Sequence, residues 1–239
     1  MTDTPQTLAF SDPEQGAQAL DALRALLGDL SPEFVMEALR DCSDPLKGVV
    51  GLVRFLERSL SPQTQAAMLA SSPRYAGMLV TLFSQSRLLT DIPCRNPEYA
   101  SWLWDGAVMD TARPVADMLA DVWGMMRAEG DFAKRCAILR RFSRRAVLRI
   151  AAREIWMHAP FPSIGEDLSN LADTALETAL RMAAEQLAPR FGAPMGEPSD
   201  GTGPSPAKFA VLGMGKLGGR ELNFSSDIDL VFLYSDPGV

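Results

Sequence analysis

A single histidine and three cysteines are all that this 239-residue chain holds of ring bases and thiols. His158 has no neighbouring carboxylate or nucleophile in Met157-His158-Ala159-Pro160, so no Ser-His-Asp arrangement is legible. Cys42, Cys94 and Cys136 are far apart and odd in number, which argues against a disulfide framework and against zinc. No run reaches the roughly eighteen apolar residues that a membrane span requires. The opening Met1-Thr2-Asp3-Thr4-Pro5 lacks the charged and apolar regions of a secretion signal. A cytoplasmic protein without a membrane partner is expected. There is no basic tail either, and the formal charge is −7, so nucleic acid is not an expected partner.

What the chain does hold is apolar periodicity. With 47% hydrophobic residues it can build a sizeable core. From Glu14 to Arg190 the pattern is helical, punctuated at Ser31-Pro32, Ser61-Pro62, Ser72-Pro73, Asn96-Pro97 and Arg113-Pro114. Leu20, Leu23, Leu26 and Leu27 form one stripe, Leu52, Phe55 and Leu56 a second, and Met78, Leu79, Leu82 and Phe83 a third. No fixed-period repeat is evident. Residues 1–191 therefore read as a bundle-like helical array, with Trp102 and Trp104 packed at its helix ends.

Two helices late in that array stand out. In the helix predicted from Phe132 to about Trp156, Arg141, Arg145, Arg149 and Arg153 recur every four residues beside Arg140 and Arg144. Such a row is either a solvated face paired with acids or a surface for phosphate or an acidic partner. Ser163-Ile164-Gly165-Glu166 has the form of a capping box for the next helix, whose buried side should carry Leu168, Leu171, Ala175, Ala179, Met182 and Leu187 until Phe191-Gly192. Residues 192–206, dense in Gly and Pro, read as an exposed loop.

The chemistry gathers between Lys208 and Tyr234. Phe209-Ala210-Val211-Leu212 reads as a buried strand. Gly213, Gly215, Gly218 and Gly219 follow around Lys216, with Arg220-Glu221-Leu222 starting a helical turn. A strand leading through glycines into a helix start aims backbone N–H groups at one spot, which favours phosphate. Asp227 to Tyr234 reads as a second strand, covered on both faces, in which Asp227 and Asp229 project from the same side. Paired carboxylates repel and need a compensating cation. Oxygen donors without His or Cys favour Mg²⁺ or Mn²⁺.

Three motifs compete for this stretch. Gly213-Met214-Gly215-Lys216-Leu217-Gly218 fits GxGxxG, with Asp236 where a dinucleotide fold would place its ribose-binding acid. Only nine residues separate Gly218 from Ile228, short of the roughly ten to twelve or more that a parallel crossover needs. A Walker A loop fails at Ala210 and Leu217. The glycine loop followed by Ser226-Asp227-Ile228-Asp229 resembles the nucleotidyltransferase superfamily of the polymerase-β type, with Lys216 where that pattern carries serine.

The string from Gly213 to Leu230 is similar to the signature of the glutamine synthetase adenylyltransferase family, and its Asn223 and Ser225-Ser226 look like that family's N-terminal, adenylyl-removing copy. Leu79 to Ser86 and Arg140 to Arg145 also resemble the family's helical segments. The resemblance implies a mostly α chain whose residues 207–239 begin a polymerase-β-like mixed sheet, truncated before a third carboxylate. It implies Asp227 and Asp229 as catalytic Mg²⁺ ligands, and Gly213, Gly215, Lys216, Gly218, Gly219 and Ser226 as phosphate- and nucleotide-binding residues. It further implies phosphorolysis of AMP–tyrosine on glutamine synthetase, ATP, ADP and phosphate as ligands, and the nitrogen-regulatory PII protein as a partner. The isolated fragment is expected to be inactive. A dinucleotide-binding oxidoreductase fragment and a non-catalytic helical interaction module are the alternatives.

Overall fold

The protein is described by a computed structural model covering residues 8–104, 108–196, 203 and 205–235. The helices run α1 (Pro13–Leu27), α2 (Glu33–Asp41), α3 (Pro45–Arg58), α4 (Pro62–Ser71), α5 (Pro73–Gln85), α6 (Arg87–Arg95), α7 (Glu98–Trp104), α8 (Val115–Met126), α9 (Phe132–Ile155) and α10 (Phe161–Phe191). Short strands β1 (Met195–Gly196) and β2 (Ser205–Pro206), strand β3 (Phe209–Gly213), a helical turn α11 (Gly215–Gly218) and strand β4 (Leu230–Tyr234) complete them. The chain divides into two compact units, Met1–Asp110 with Leu148–Ala159, and Thr111–Val147 with Pro160–Val239.

Of the junctions read from the sequence, Ser61-Pro62 and Ser72-Pro73 start α4 and α5, and Pro13 and Pro45 do the same for α1 and α3. Proline occupies the first helical position of α1, α3, α4 and α5, where the missing N–H costs nothing. Asp12 caps α1 by accepting from the Glu14 and Gln15 amides, both at 3.1 Å. Leu52, Phe55 and Leu56 of α3 and Met78, Leu79, Leu82 and Phe83 of α5 are buried together in one core. The two helices approach so closely that a Cβ on Gly51 would lie 2.8 Å from the Phe83 Cβ. Trp104 packs on buried Tyr75 with ring centroids 5.4 Å apart, in keeping with a packing role for the tryptophans.

The arginine row divides in a way its spacing did not predict. Arg149 and Arg153 are buried in the first unit, where they donate to the carbonyls of Val108 and Met109, each at 3.1 Å. In the second unit Arg145 lies 3.7 Å from the Asp121 carboxylate, and Arg140, Arg141 and Arg144 are exposed. Buried guanidinium groups that satisfy carbonyls are structural, a role that neither sequence reading assigned.

In the second unit α10 opens at Phe161 with Pro160 at the N-cap, so Ser163 and Glu166 fall inside its first turns rather than forming a capping box. Its buried side includes Ile164, Asp167, Leu171, Thr174, Thr178 and Met182, while Ala179 and Leu187 are exposed, contrary to expectation. The turn of the buried stripe is set by threonines that apolar counting passed over; Thr174 satisfies its hydroxyl on the Asn170 carbonyl at 2.7 Å.

β3 and β4 pair antiparallel, Gly213 opposite Leu230 and Phe209 opposite Tyr234. Both strands were expected to be covered. Instead Phe209, Leu212, Val231, Phe232, Leu233 and Tyr234 are all exposed. Among the described residues the ribbon has two strands only and no third to share its faces, so a continuous apolar run here does not report burial. The second strand also begins later than predicted: Asp227, Ile228 and Asp229 lie in the irregular segment before it.

Candidate functional site

The glycine turn is built by backbone contact. Gly215 has φ of +54°, a conformation that side chains disfavour, and a Cβ on Gly218 would stand 2.7 Å from the Gly213 carbonyl oxygen. Gly218 donates to Met214, Gly219 to Gly215, Arg220 to Leu217 and Glu221 to Lys216, all within 3.2 Å. The helical turn is therefore Gly215–Gly218, and Arg220 to Leu222 continue it as an irregular segment rather than starting a helix of their own. The amides of Gly218 and Gly219 serve the turn itself. Those of Gly215, Lys216 and Leu217 are the first of the helical turn and have no carbonyl behind them. Leu217 anchors the turn as a buried side chain, while Lys216 is exposed and forms no ion pair among the described residues.

The acidic segment meets this turn through the backbone. Met214 donates its N–H to the Asp229 carbonyl at 2.9 Å, one step beyond the β3–β4 ladder. That bond sets Asp229 beside Gly215: its carboxylate oxygen lies 3.7 Å from where a Gly215 Cβ would stand. Asp227 is exposed two residues earlier, and neither carboxylate has a hydrogen bond or ion pair among the described residues. No cluster of three His, Cys, Asp or Glu able to hold a metal occurs among those residues. Ser226 is engaged locally. Its hydroxyl donates to the Asn223 side chain at 2.8 Å and accepts from the Asn223 amide at 3.2 Å, and the Asn223 side chain accepts from Ser225 at 3.1 Å. This closed turn, written in the sequence as Asn-x-x-Ser, delivers the chain to Asp227.

Arg220 is the residue whose place the sequence did not disclose. It has φ of +57°, and its guanidinium reaches α10, 2.8 Å from Asp173 and hydrogen-bonded to the Asn170 side-chain oxygen. Asn170 in turn donates to the Arg113 carbonyl at 2.9 Å, and the Arg113 amide donates to buried Asp167 at 3.2 Å. Nearby, a Cβ on Gly165 would meet the Glu221 Cα at 3.2 Å, so the chain after the glycines lies directly on α10.

Two rival placements fare poorly. The antiparallel pairing of β3 with β4 excludes the parallel crossover on which a dinucleotide-binding reading depends; Asp236, its proposed ribose ligand, lies outside the described residues. An open cleft of about 560 Å³ along β3, lined by Val115, Leu119, Leu176, Leu180 and Phe209 with Asp173 and Glu177, is apolar and acidic, the wrong lining for phosphate. Exposed His158 closes α9 in a left-handed conformation with φ of 53° and faces no triad partner among the described residues.

Comparison with known proteins places this geometry in a lineage. Residues 76–239 match the family model for glutamate-ammonia ligase adenylyltransferase. The chain is 30% identical over 236 residues to the bifunctional glutamine synthetase adenylyltransferase/adenylyl-removing enzyme of Nitrosococcus oceani, covering 98% of this chain and 24% of the relative. It is 34% identical over 167 residues to the protein of the same description from Shewanella loihica, covering 70% of this chain and 17% of the relative. With Thioalkalivibrio sulfidiphilus the identity is 36% over 160 residues, covering 67% and 16%. The chain thus spans about a quarter or less of the length of these relatives, and no helix among its described residues is long and apolar enough to cross a membrane. On this evidence the chain belongs to the glutamate-ammonia ligase adenylyltransferase family.

Proposed function

We propose that these residues belong to the adenylyl-removing part of a glutamine synthetase adenylyltransferase, in which inorganic phosphate attacks the phosphorus of an AMP–tyrosine bond on glutamine synthetase. A new P–O bond forms to phosphate, the bond to the tyrosine oxygen breaks, and ADP leaves while the phenolate takes up a proton. The observation that carries this reading is the Asp229 carboxylate set beside Gly215, where unpaired amides of the glycine turn begin. Support also comes from Asn223 and Ser225-Ser226, which match the adenylyl-removing form of the motif, and from the relatives' shared description.

In this reading Lys216 offers its unpaired ammonium to a phosphate oxygen, and the Gly215 to Leu217 amides supply neutral donors. Asp227 and Asp229 are two exposed, uncompensated oxygen donors, a set that fits Mg²⁺, which draws most of its ligands from water and substrate phosphate rather than from a protein cage. Bound there, Mg²⁺ would neutralise charge on the phosphate oxygens. Asn223 and Ser226 hold the turn from which Asp227 emerges, so the carboxylate pair is presented by a hydrogen-bonded segment.

The test is Asp227→Asn and Asp229→Asn in the complete enzyme. Each should abolish phosphate-dependent release of ADP from adenylylated glutamine synthetase while ATP-dependent attachment of AMP persists at a separate site. Retention of ADP release, or parallel loss of both activities, overturns the reading.

A further inference from the structure

We propose that Arg220 is a positioning residue that straps the glycine turn to α10, and not a phosphate ligand; this rests on the proposed phosphate-dependent reaction at the same turn. A guanidinium one residue beyond a glycine-rich phosphate seat would ordinarily be assigned to the phosphate, because its fork matches phosphate oxygens. Here both arms of the fork are engaged on α10, although the side chain stays 44% exposed. One arm lies 2.8 Å from the Asp173 carboxylate and the other donates to the Asn170 side-chain oxygen. Asn170 is itself fixed, since its amide donates to the Arg113 carbonyl at 2.9 Å, so both ends of one side chain are used.

The backbone supports the same assignment. Arg220 is held at φ of +57°, a costly conformation for a residue with a Cβ, and such conformations persist only where the surroundings enforce them. The enforcing contacts are the two α10 acceptors and the close approach of Glu221 to Gly165, whose added Cβ would lie 3.2 Å from the Glu221 Cα. Residues 220–221 are thus pressed against the helix while four amide hydrogen bonds, donated by Gly218 to Glu221, fix the turn. The open amides of Gly215 to Leu217 inherit their position from this strap.

The two roles for Arg220 give opposite signs on one substitution. Asp173→Ala in the complete enzyme removes an acceptor and leaves the arginine in place. If Arg220 bound phosphate, freeing it would leave the KM for phosphate unchanged or lower it. As a strap, its loss should lower kcat/KM for phosphate by about tenfold or more, since misplacement of a seat is costly, with AMP attachment unaffected. Arg220→Lys should retain part of the function and Arg220→Gly should not, although glycine relieves the backbone; adding Asp173→Ala to Arg220→Gly should change nothing further. Hydrogen exchange supplies a readout independent of turnover: the Gly219 and Glu221 amides should exchange about tenfold faster in Asp173→Ala, with Leu79 and Leu82 of α5 unchanged. An enzyme without phosphate-dependent ADP release would sink the proposed reaction while exchange still judges the strap. Unchanged exchange, or a phosphate KM that falls in Asp173→Ala, overturns the strap.

Discussion

The α3–α5 core and the β3–β4 ribbon hold the same kinds of residue in opposite circumstances. Phe55 of α3 is fully buried and packs on Phe83 with ring centroids 5.9 Å apart, whereas Phe232 of β4 stacks on Phe209 at 6.0 Å yet is 58% exposed. The helical core draws its stability from area removed from water, roughly 1.5–3 kcal/mol for each large side chain. The ribbon is held by its ladder, by buried Leu217 against Gly213, and by Arg220 on α10. The candidate chemistry sits in the second kind of region, where backbone contacts and charged clamps do what packing does elsewhere.

The contrast breaks most easily at its strongest term. Phe55→Ala should destabilise the chain by about 3–5 kcal/mol, through lost transfer energy and a cavity among rigid neighbours, whereas Phe232→Ala, truncating a solvated ring, should cost well under about 1 kcal/mol. Urea unfolding of both variants checks this, and equal losses would erase the distinction. Next in size is Arg149→Ala, which strands the carbonyl of half-buried Val108 and removes a buried side chain. A loss of about 2–4 kcal/mol is expected, read as a lowered thermal midpoint; no loss would return the arginine to the solvated face. Smallest is Asp44→Ala at the N-cap of α3, at about 1 kcal/mol. The Lys47 ammonium, 2.9 Å away, and the Lys47 amide hold the Asp44 carboxyl below its usual range. Because the folded form is the stronger acid, its contribution is present above the ordinary carboxylate value and fades as pH falls through the depressed one. Unfolding curves for parent and variant should therefore differ at pH 7 and converge at strongly acidic pH.

Helices were legible because proline announces their starts: Pro62 and Pro73 stand at the first helical position of α4 and α5, and Pro32 and Pro114 at the N-caps of α2 and α8. Apolar stripes were legible where apolar residues alone fill the buried side, as in α3. On α10 they held at Leu168, Leu171 and Met182 and failed at Ala179 and Leu187, while Thr174 and Thr178 are buried and bring polar atoms that periodicity counts as surface. The glycine turn was legible as a bend after β3, whereas the positive φ of Gly215 and the contact of Gly218 with the Gly213 carbonyl were visible only in the structure. Burial of β3 and β4 was not legible, since a continuous apolar run does not say whether anything covers it. The Asp227–Asp229 segment was placed in the strand because apolar Ile228 lies between the acids; the ladder instead starts at Leu230, after the bond from Met214 to Asp229. Arg220 escaped notice because its partners stand 47 and 50 residues upstream, beyond any local spacing rule.

The approach of Gly218 to the Gly213 carbonyl carries one more implication. The curvature of that bend is dictated by main-chain atoms in mutual contact, so it has no rotamers to sample and little entropy to surrender when an anion arrives. Recognition of the proposed phosphate would begin there from a mould already cast.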